Sequence, residues 1–256
     1  AKLKEHQMKG AEVMIALDVS NSMLARDYSP DRLDRAKLAI SRLVDKLNGD
    51  RIGLVLFAGT SFVQLPITTD YVSAKMFLNN ISTESVPVQG TAMGDAINTC
   101  IRSFSAQSEK SRAIIVITDG ENHEDDPVSA AKQAAEMGIS VYTIGVGSEQ
   151  GQPIPMKGGL LKDSEGNIVV TKLDESTLRD VARAGNGAYV HAGNDEFGLN
   201  PIIDNVRKLD EEQFSSVVFE EYDEQYMYFF AIALALFVIQ MMVGERKVLR
   251  HLFDKK

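Results

Sequence analysis

Cysteine is all but missing from this 256-residue chain, histidine is scarce, and positive charge is in deficit. The lone cysteine, Cys100, excludes an intramolecular disulfide, and its helical spacing points it into a core. Four histidines, His6, His123, His191 and His251, sit in unrelated contexts, and no motif pairs any of them with a serine, threonine or cysteine nucleophile. Lys and Arg number 27 against 36 Asp and Glu, a formal charge of −9, which argues against nucleic acid and for cations or basic partners. No G-x-x-x-x-G-K-[ST] phosphate loop occurs. Gly145-Val146-Gly147-Ser148-Glu149-Gln150-Gly151 places its last glycine one residue too late for a dinucleotide fingerprint. No apolar segment precedes residue 11.

What is present begins with Val13-Met14-Ile15-Ala16-Leu17, an apolar run that ends in Asp18-Val19-Ser20-Asn21-Ser22. A strand sends alternate side chains to opposite faces, but a turn just past its end gathers residues i, i+2 and i+4 around one point. One carboxylate with neutral hydroxyls suits a hard divalent ion such as Mg2+, which keeps several waters. A second apolar strand, Ala113 to Thr118, runs into Asp119-Gly120-Glu121-Asn122, and Gly90-Thr91-Ala92-Met93-Gly94 opens an amphipathic helix. The same residues would also serve as helix caps and a turn, so each segment alone leaves both readings open.

The remaining pattern predicts a doubly wound α/β domain. Leu33, Ala36, Ile40, Leu43, Val44 and Leu47 recur at helical spacing behind Asp31 as N-cap, with Gly49 past the end. Ile52 to Ala58 reads as a buried strand turning into an antiparallel edge strand, Phe62 to Ile67. Helices are expected over Tyr71 to Asn80, Pro127 to Met137, Glu175 to Ala184 and near Leu199 to Leu209, with strands over Val141 to Val146 and Ala188 to His191. Between them, Gly147 to Lys172 contains a hairpin of Leu160-Leu161 with Ile168-Val169-Val170, either a partner-binding arm or a surface excursion. Strands alternating with helices imply a mostly parallel sheet covered on both faces, with ligands bound beyond the strands' carboxyl ends.

Taken in order, D-x-S-x-S, G-T and T-D-G resemble the metal-ion-dependent adhesion site of von Willebrand factor A domains, over about residues 11 to 209. The resemblance implies a metal held by Asp18, Ser20, Ser22, Thr91 and Asp119, with one coordination position left for an acidic group of a partner protein. Mg2+ is the expected ion, with Mn2+ or Ca2+ as alternatives.

Gln225 to Gly244 carries no charge and is long enough, at about 1.5 Å per residue, to cross a membrane core of about 30 Å. The expected organisation is therefore a linker (1–10), an A domain (11–209), an acidic linker (210–225), a transmembrane helix (226–244) and a basic tail (245–256). Acidic residues precede the span and Arg246, Lys247, Arg250, Lys255 and Lys256 follow it, which places the tail in the cytoplasm and the domain outside. The run Ile117 to Asp125 and Glu220-Glu221-Tyr222-Asp223-Glu224-Gln225 before the span extend the likeness to the Bat aerotolerance family of bacterial inner-membrane proteins. That resemblance implies a periplasmic A domain, a second membrane helix upstream of Ala1, and association with other Bat-type membrane proteins and a MoxR-type ATPase. The expected function is a membrane-tethered binding module, not an enzyme. The competing readings are a metal-assisted hydrolase, which lacks an evident base, and a nucleotide-binding enzyme on the same kind of fold.

Overall fold

The computed structural model describes residues 10–47, 49–105, 110–122, 124–192 and 198–208, with residues 230, 233–234 and 236–240. The chain divides into two compact units, Ala1–Gln213 and Phe214–Lys256.

The first unit is built on a six-stranded sheet. Five strands are parallel: β1 (Glu12–Asp18), β2 (Arg51–Phe57), β4 (Arg112–Thr118), β5 (Ile139–Gly145) and β10 (Asn186–His191). The sixth, β3 (Ser61–Thr68), pairs antiparallel with β2 at the sheet edge, giving the order β10-β5-β4-β1-β2-β3. Pro66 lies within β3, and the β2–β3 register shifts twice along its length.

Near-continuous apolar runs form β1, β4 and β5 because both faces of the sheet are covered. Val13, Ile15 and Leu17 pack with residues of α1 (Arg32–Val44), α2 (Tyr71–Asn79) and the final helix, α6 (199–208). Met14 and Ala16 point the other way, into α3 (Met93–Ser103), α4 (Pro127–Glu136) and α5 (Glu175–Ala184). Among the described residues, the buried apolar side chains of these two clusters fall between Ala11 and Val206, all within the first unit. Asp31, Asp70, Asp126 and Asp174 each cap the helix that follows by accepting from the backbone N–H three residues on.

Cys100 is fully enclosed on the inner face of α3, and burial pushes its thiol well above the ordinary cysteine range. It will therefore resist a maleimide in the folded unit and react only when denaturant opens the core; labelling at the native rate of an exposed thiol would contradict the packing.

The expected hairpin of Leu160-Leu161 with Ile168-Val169-Val170 is met only in part: Val169 N donates to Leu161 O at 2.9 Å, whereas Leu160 and Val170 pair with other segments. β6 (Gln152–Pro153) pairs with β9 (Val170–Thr171), β7 (Pro155–Met156) with β8 (Gly159–Leu160), and Lys162 bridges Ile168. The final strand begins at Asn186 rather than Ala188, and a register shift between Asn186 and Tyr189 marks the added residues.

The expected acidic linker (210–225) and basic tail, with His6, His123 and His251, lie outside the described residues, as does nearly all of the N-terminal linker. Of the expected membrane span, the described residues 230, 233–234 and 236–240 are helical, with Phe230, Leu234, Leu236, Phe237, Val238 and Ile239 exposed. Among the described residues no helix is long and apolar enough to cross a membrane.

Candidate metal centre

Parallel strand order changes direction at β1, whose neighbours are β2 on one side and β4 on the other. A crevice opens at such a switch, beyond the carboxyl ends of the strands. Asp18 ends β1, and β4 lies alongside it in a register that sets Leu17 beside Ile117, so Thr118 and Asp119 arrive next to Asp18. Both aspartates are completely buried.

The turn after β1 is drawn around the Asp18 carboxylate. Oδ1 accepts from the Ser20 backbone N–H at 2.8 Å, and Oδ2 accepts from the Thr118 hydroxyl at 2.6 Å. A short 3-10 turn, Asn21–Leu24, follows, and the Ser20 and Ser22 hydroxyls come within 2.9 Å of each other. Ser20 occupies the N-cap position of that turn yet makes no side-chain cap bond. The capping reading of the serines therefore does not hold here.

Thr91 departs from its capping reading too. The N-cap of α3 is Ala92, without a side-chain cap bond, and the helix start is capped from across the crevice instead. Asn122 Oδ1 accepts from Met93 N at 3.2 Å, while the Asp125 carboxylate takes Gly94 N at 2.9 Å and Asp95 N at 2.6 Å. Thr91 is held at the end of β2 through Ala92 N, which donates to Ala58 O at 2.7 Å. Its hydroxyl is left out of the helix cap, and the residue is only 6% exposed.

Asp119 sits in a turn made by Gly120 at φ +82, where a side chain would strike Asp174 O at 2.6 Å. Its Oδ1 accepts from Glu121 N at 3.3 Å. Its Oδ2 is clasped by Arg32 Nη1 and by the Thr171 hydroxyl, each at 2.9 Å. Arg32, Thr171 and Thr118 were not singled out from the sequence, and only the Thr118-Asp119-Gly120 run carried a signal for any of them.

Burial, and next the facing charge of Asp119, push the Asp18 carboxyl up to about 7 despite the hydrogen bonds from Ser20 and Thr118. Two enclosed carboxylates with hydroxyl oxygens at their mouth form a donor set that a hard divalent cation fits, because the ion removes the repulsion between them. Among the described residues no cluster of three or more His, Cys, Asp or Glu side chains occurs. The candidate centre rests on two carboxylates and three hydroxyls, the mixture expected for Mg2+ rather than for a thiolate- or imidazole-bound metal.

Comparison with known proteins places the fold in a family. The family profile of the von Willebrand factor type A domain matches residues 12–184. The chain belongs to the von Willebrand factor type A family. Among solved A-domain structures, that of BatB from Bacteroides thetaiotaomicron is 50% identical, with a TM-score of 0.71, covering 82% of this chain and 99% of that one. An aerotolerance-related membrane protein from Bacteroides fragilis is also 50% identical, with a TM-score of 0.75 and coverage of 78% and 100%. A UPF0353 protein of Nocardia farcinica shares 31% identity over 72% of this chain, and the chain spans 58% of that relative's length. Proximal thread matrix protein 1 of the mussel byssus, 20% identical with a TM-score of 0.58, shares the fold and is described with a zinc-occupied metal-ion-dependent adhesion site.

Proposed function

We propose that this A domain is a membrane-tethered protein-binding module that holds a divalent cation at Asp18, Ser20, Ser22, Thr91 and Asp119. The observation that carries this reading is the pair of serine hydroxyls, 2.9 Å apart and released from capping, at the mouth of two buried carboxylates. A bound ion supplies a Lewis-acidic position for an acidic side chain of a partner. The chain's own part is to orient. Thr118 and the Ser20 N–H fix the two oxygens of Asp18, Arg32 and Thr171 fix Oδ2 of Asp119, and the Asp125 cap holds the start of α3 beside Thr91. Mg2+ suits the oxygen-only donor set, with Mn2+ and Ca2+ as the other candidates.

The reading as a binding module rather than an enzyme is supported by membership of the von Willebrand factor type A family. His191 bonds Gly147 O at 3.1 Å and faces Glu175 at 3.4 Å, with no nucleophile in either contact. The 50% identity to a protein described as an aerotolerance-related membrane protein supports a tethered domain in a bacterial stress complex. In that setting residues 226–244 span the inner membrane, the A domain is periplasmic and residues 245–256 are cytoplasmic. Other Bat-type membrane proteins and a MoxR-type ATPase are the proposed associates.

Calorimetry of residues 1–213 with Mg2+, Mn2+ and Ca2+, beside an Asp18→Ala control, tests the centre. Saturable binding lost in the control is expected; no binding by the wild type would sink the metal reading. Removing one neutral oxygen in Ser20→Ala should weaken binding on the order of tenfold, about 1.4 kcal/mol, whereas Asp119→Ala should abolish it. Topology is tested separately. Protease added to spheroplasts should digest the A domain and spare the basic tail, and a fully protected domain would reverse the orientation.

A further inference from the structure

Arg32 lies at the first position of α1 and is completely buried. Its Nε and Nη2 donate to the two oxygens of Asp27, each at 2.7 Å, so Asp27 alone already gives the guanidinium a bidentate partner. The remaining nitrogen, Nη1, turns to Asp119 Oδ2 at 2.9 Å, to Thr171 Oγ1 at 3.1 Å and to Ser22 O at 3.4 Å. Asp27 is pinned from behind by Ser148 N at 2.9 Å. Burial would raise the Asp27 carboxyl, but the bonds and charge of Arg32 hold it below the ordinary carboxylate range.

This arrangement is an oriented ion pair. Its positive end touches one aspartate of the candidate centre, and its negative end lies on the far side of the guanidinium. An uncharged donor could make the same hydrogen bond to Asp119 but would not compensate its buried charge. A fixed cation there opposes any second cation that shares the same carboxylate, and in a buried setting that opposition is little screened.

We infer that the Asp27–Arg32 pair is a built-in governor of metal affinity: Arg32 pre-positions Asp119 and holds down its attraction for the ion, and Asp27 limits how strongly Arg32 does so. The inference rests on the metal-binding reading proposed above. Arg32 is here a positioning residue, acting on the ion through Asp119. Weaker charge donation from Asp119 also leaves the ion more electrophilic toward a partner's carboxylate, which ties occupancy of the centre to the presence of that partner.

The two members of the pair should therefore act in opposite directions on binding of Mn2+ or Mg2+ alone, a pattern that a merely structural role does not produce. In residues 1–213, D27N leaves Arg32 with less compensation and should weaken metal binding several-fold. In D27N/R32Q no cation remains beside Asp119, no charge is left unpaired opposite it, and binding should tighten about tenfold relative to the wild type. Both variants are to be checked for native circular dichroism before calorimetry. Opposite shifts support the governor, and equal or parallel shifts in folded protein overturn it. If the double variant does not fold, D27N alone decides, since unchanged or tighter binding overturns the inference. Absence of metal binding by the wild type would overturn the metal reading itself, an outcome distinct from unaltered affinity in the variants.

Discussion

Asp18→Asn and Asp119→Asn will both abolish divalent-ion binding, yet they will move the stability of the metal-free domain in opposite directions. Asp18 is enclosed, repelled by Asp119, and held by neutral donors, among them the Ser20 N–H and the Thr118 hydroxyl. An amide keeps the bond from Ser20 N through its oxygen, and the Thr118 hydroxyl can turn to accept from its NH2. Removing the charge therefore stabilises the metal-free form, on the order of 1 kcal/mol. Asp119 is instead the anionic partner of a buried cation. Asp119→Asn weakens a charge-assisted bond and should cost about 2 kcal/mol, and Asp119→Ala, which leaves Nη1 of Arg32 without this partner, about 3–5 kcal/mol. Urea unfolding in chelator measures these changes directly. Repeating it in Mg2+ should stabilise the wild type alone, since only a protein that binds the ion gains from mass action. Equal losses for the two asparagine variants would mean that the carboxylates are not differently supported.

The second large effect is expected at Gly147, far in sequence from any candidate ligand. Its φ is +130, a region that side chains rarely adopt, and a Cβ there would lie 2.7 Å from Arg32 Nη2 and 2.8 Å from Cζ. The guanidinium cannot retreat, because its other faces are bonded to Asp27, Asp119 and Thr171. Gly147→Ala combines backbone strain of about 1–3 kcal/mol with displacement of a buried ion pair, so a total loss of about 3 kcal/mol or more is expected. A melt within about 2 °C of the wild type would show that the loop yields without disturbing Arg32.

Much of the fold was legible because its signals are local. Buried strands such as Val13 to Leu17 and Ala113 to Thr118 are apolar on both faces, and a parallel sheet covered by helices is what makes such runs necessary. The ligand set was legible for a related reason: Asp18, Ser20 and Ser22 are neighbours in one turn, and Asp119 directly follows a strand. The Arg32 cluster was not. Its partners Asp119 and Thr171 lie 87 and 139 positions away, and an arginine in the first turn of an amphipathic helix has the spacing of an ordinary solvated charge. The capping alternative for Thr91 could not be dismissed from the sequence for the complementary reason. A glycine-threonine pair before a helix looks like a local cap, and nothing nearby in sequence reveals that Asn122 and Asp125 do that work from another loop.

The irregular outer strand β3 bears on how these domains can crowd together. A sheet edge is a template that invites a second sheet to dock by main-chain pairing. Pro66 removes a donor from that edge, and the two register shifts break its remaining groups out of a regular ladder. Many copies confined to one surface would thus find no continuous seam along β3 on which to polymerise.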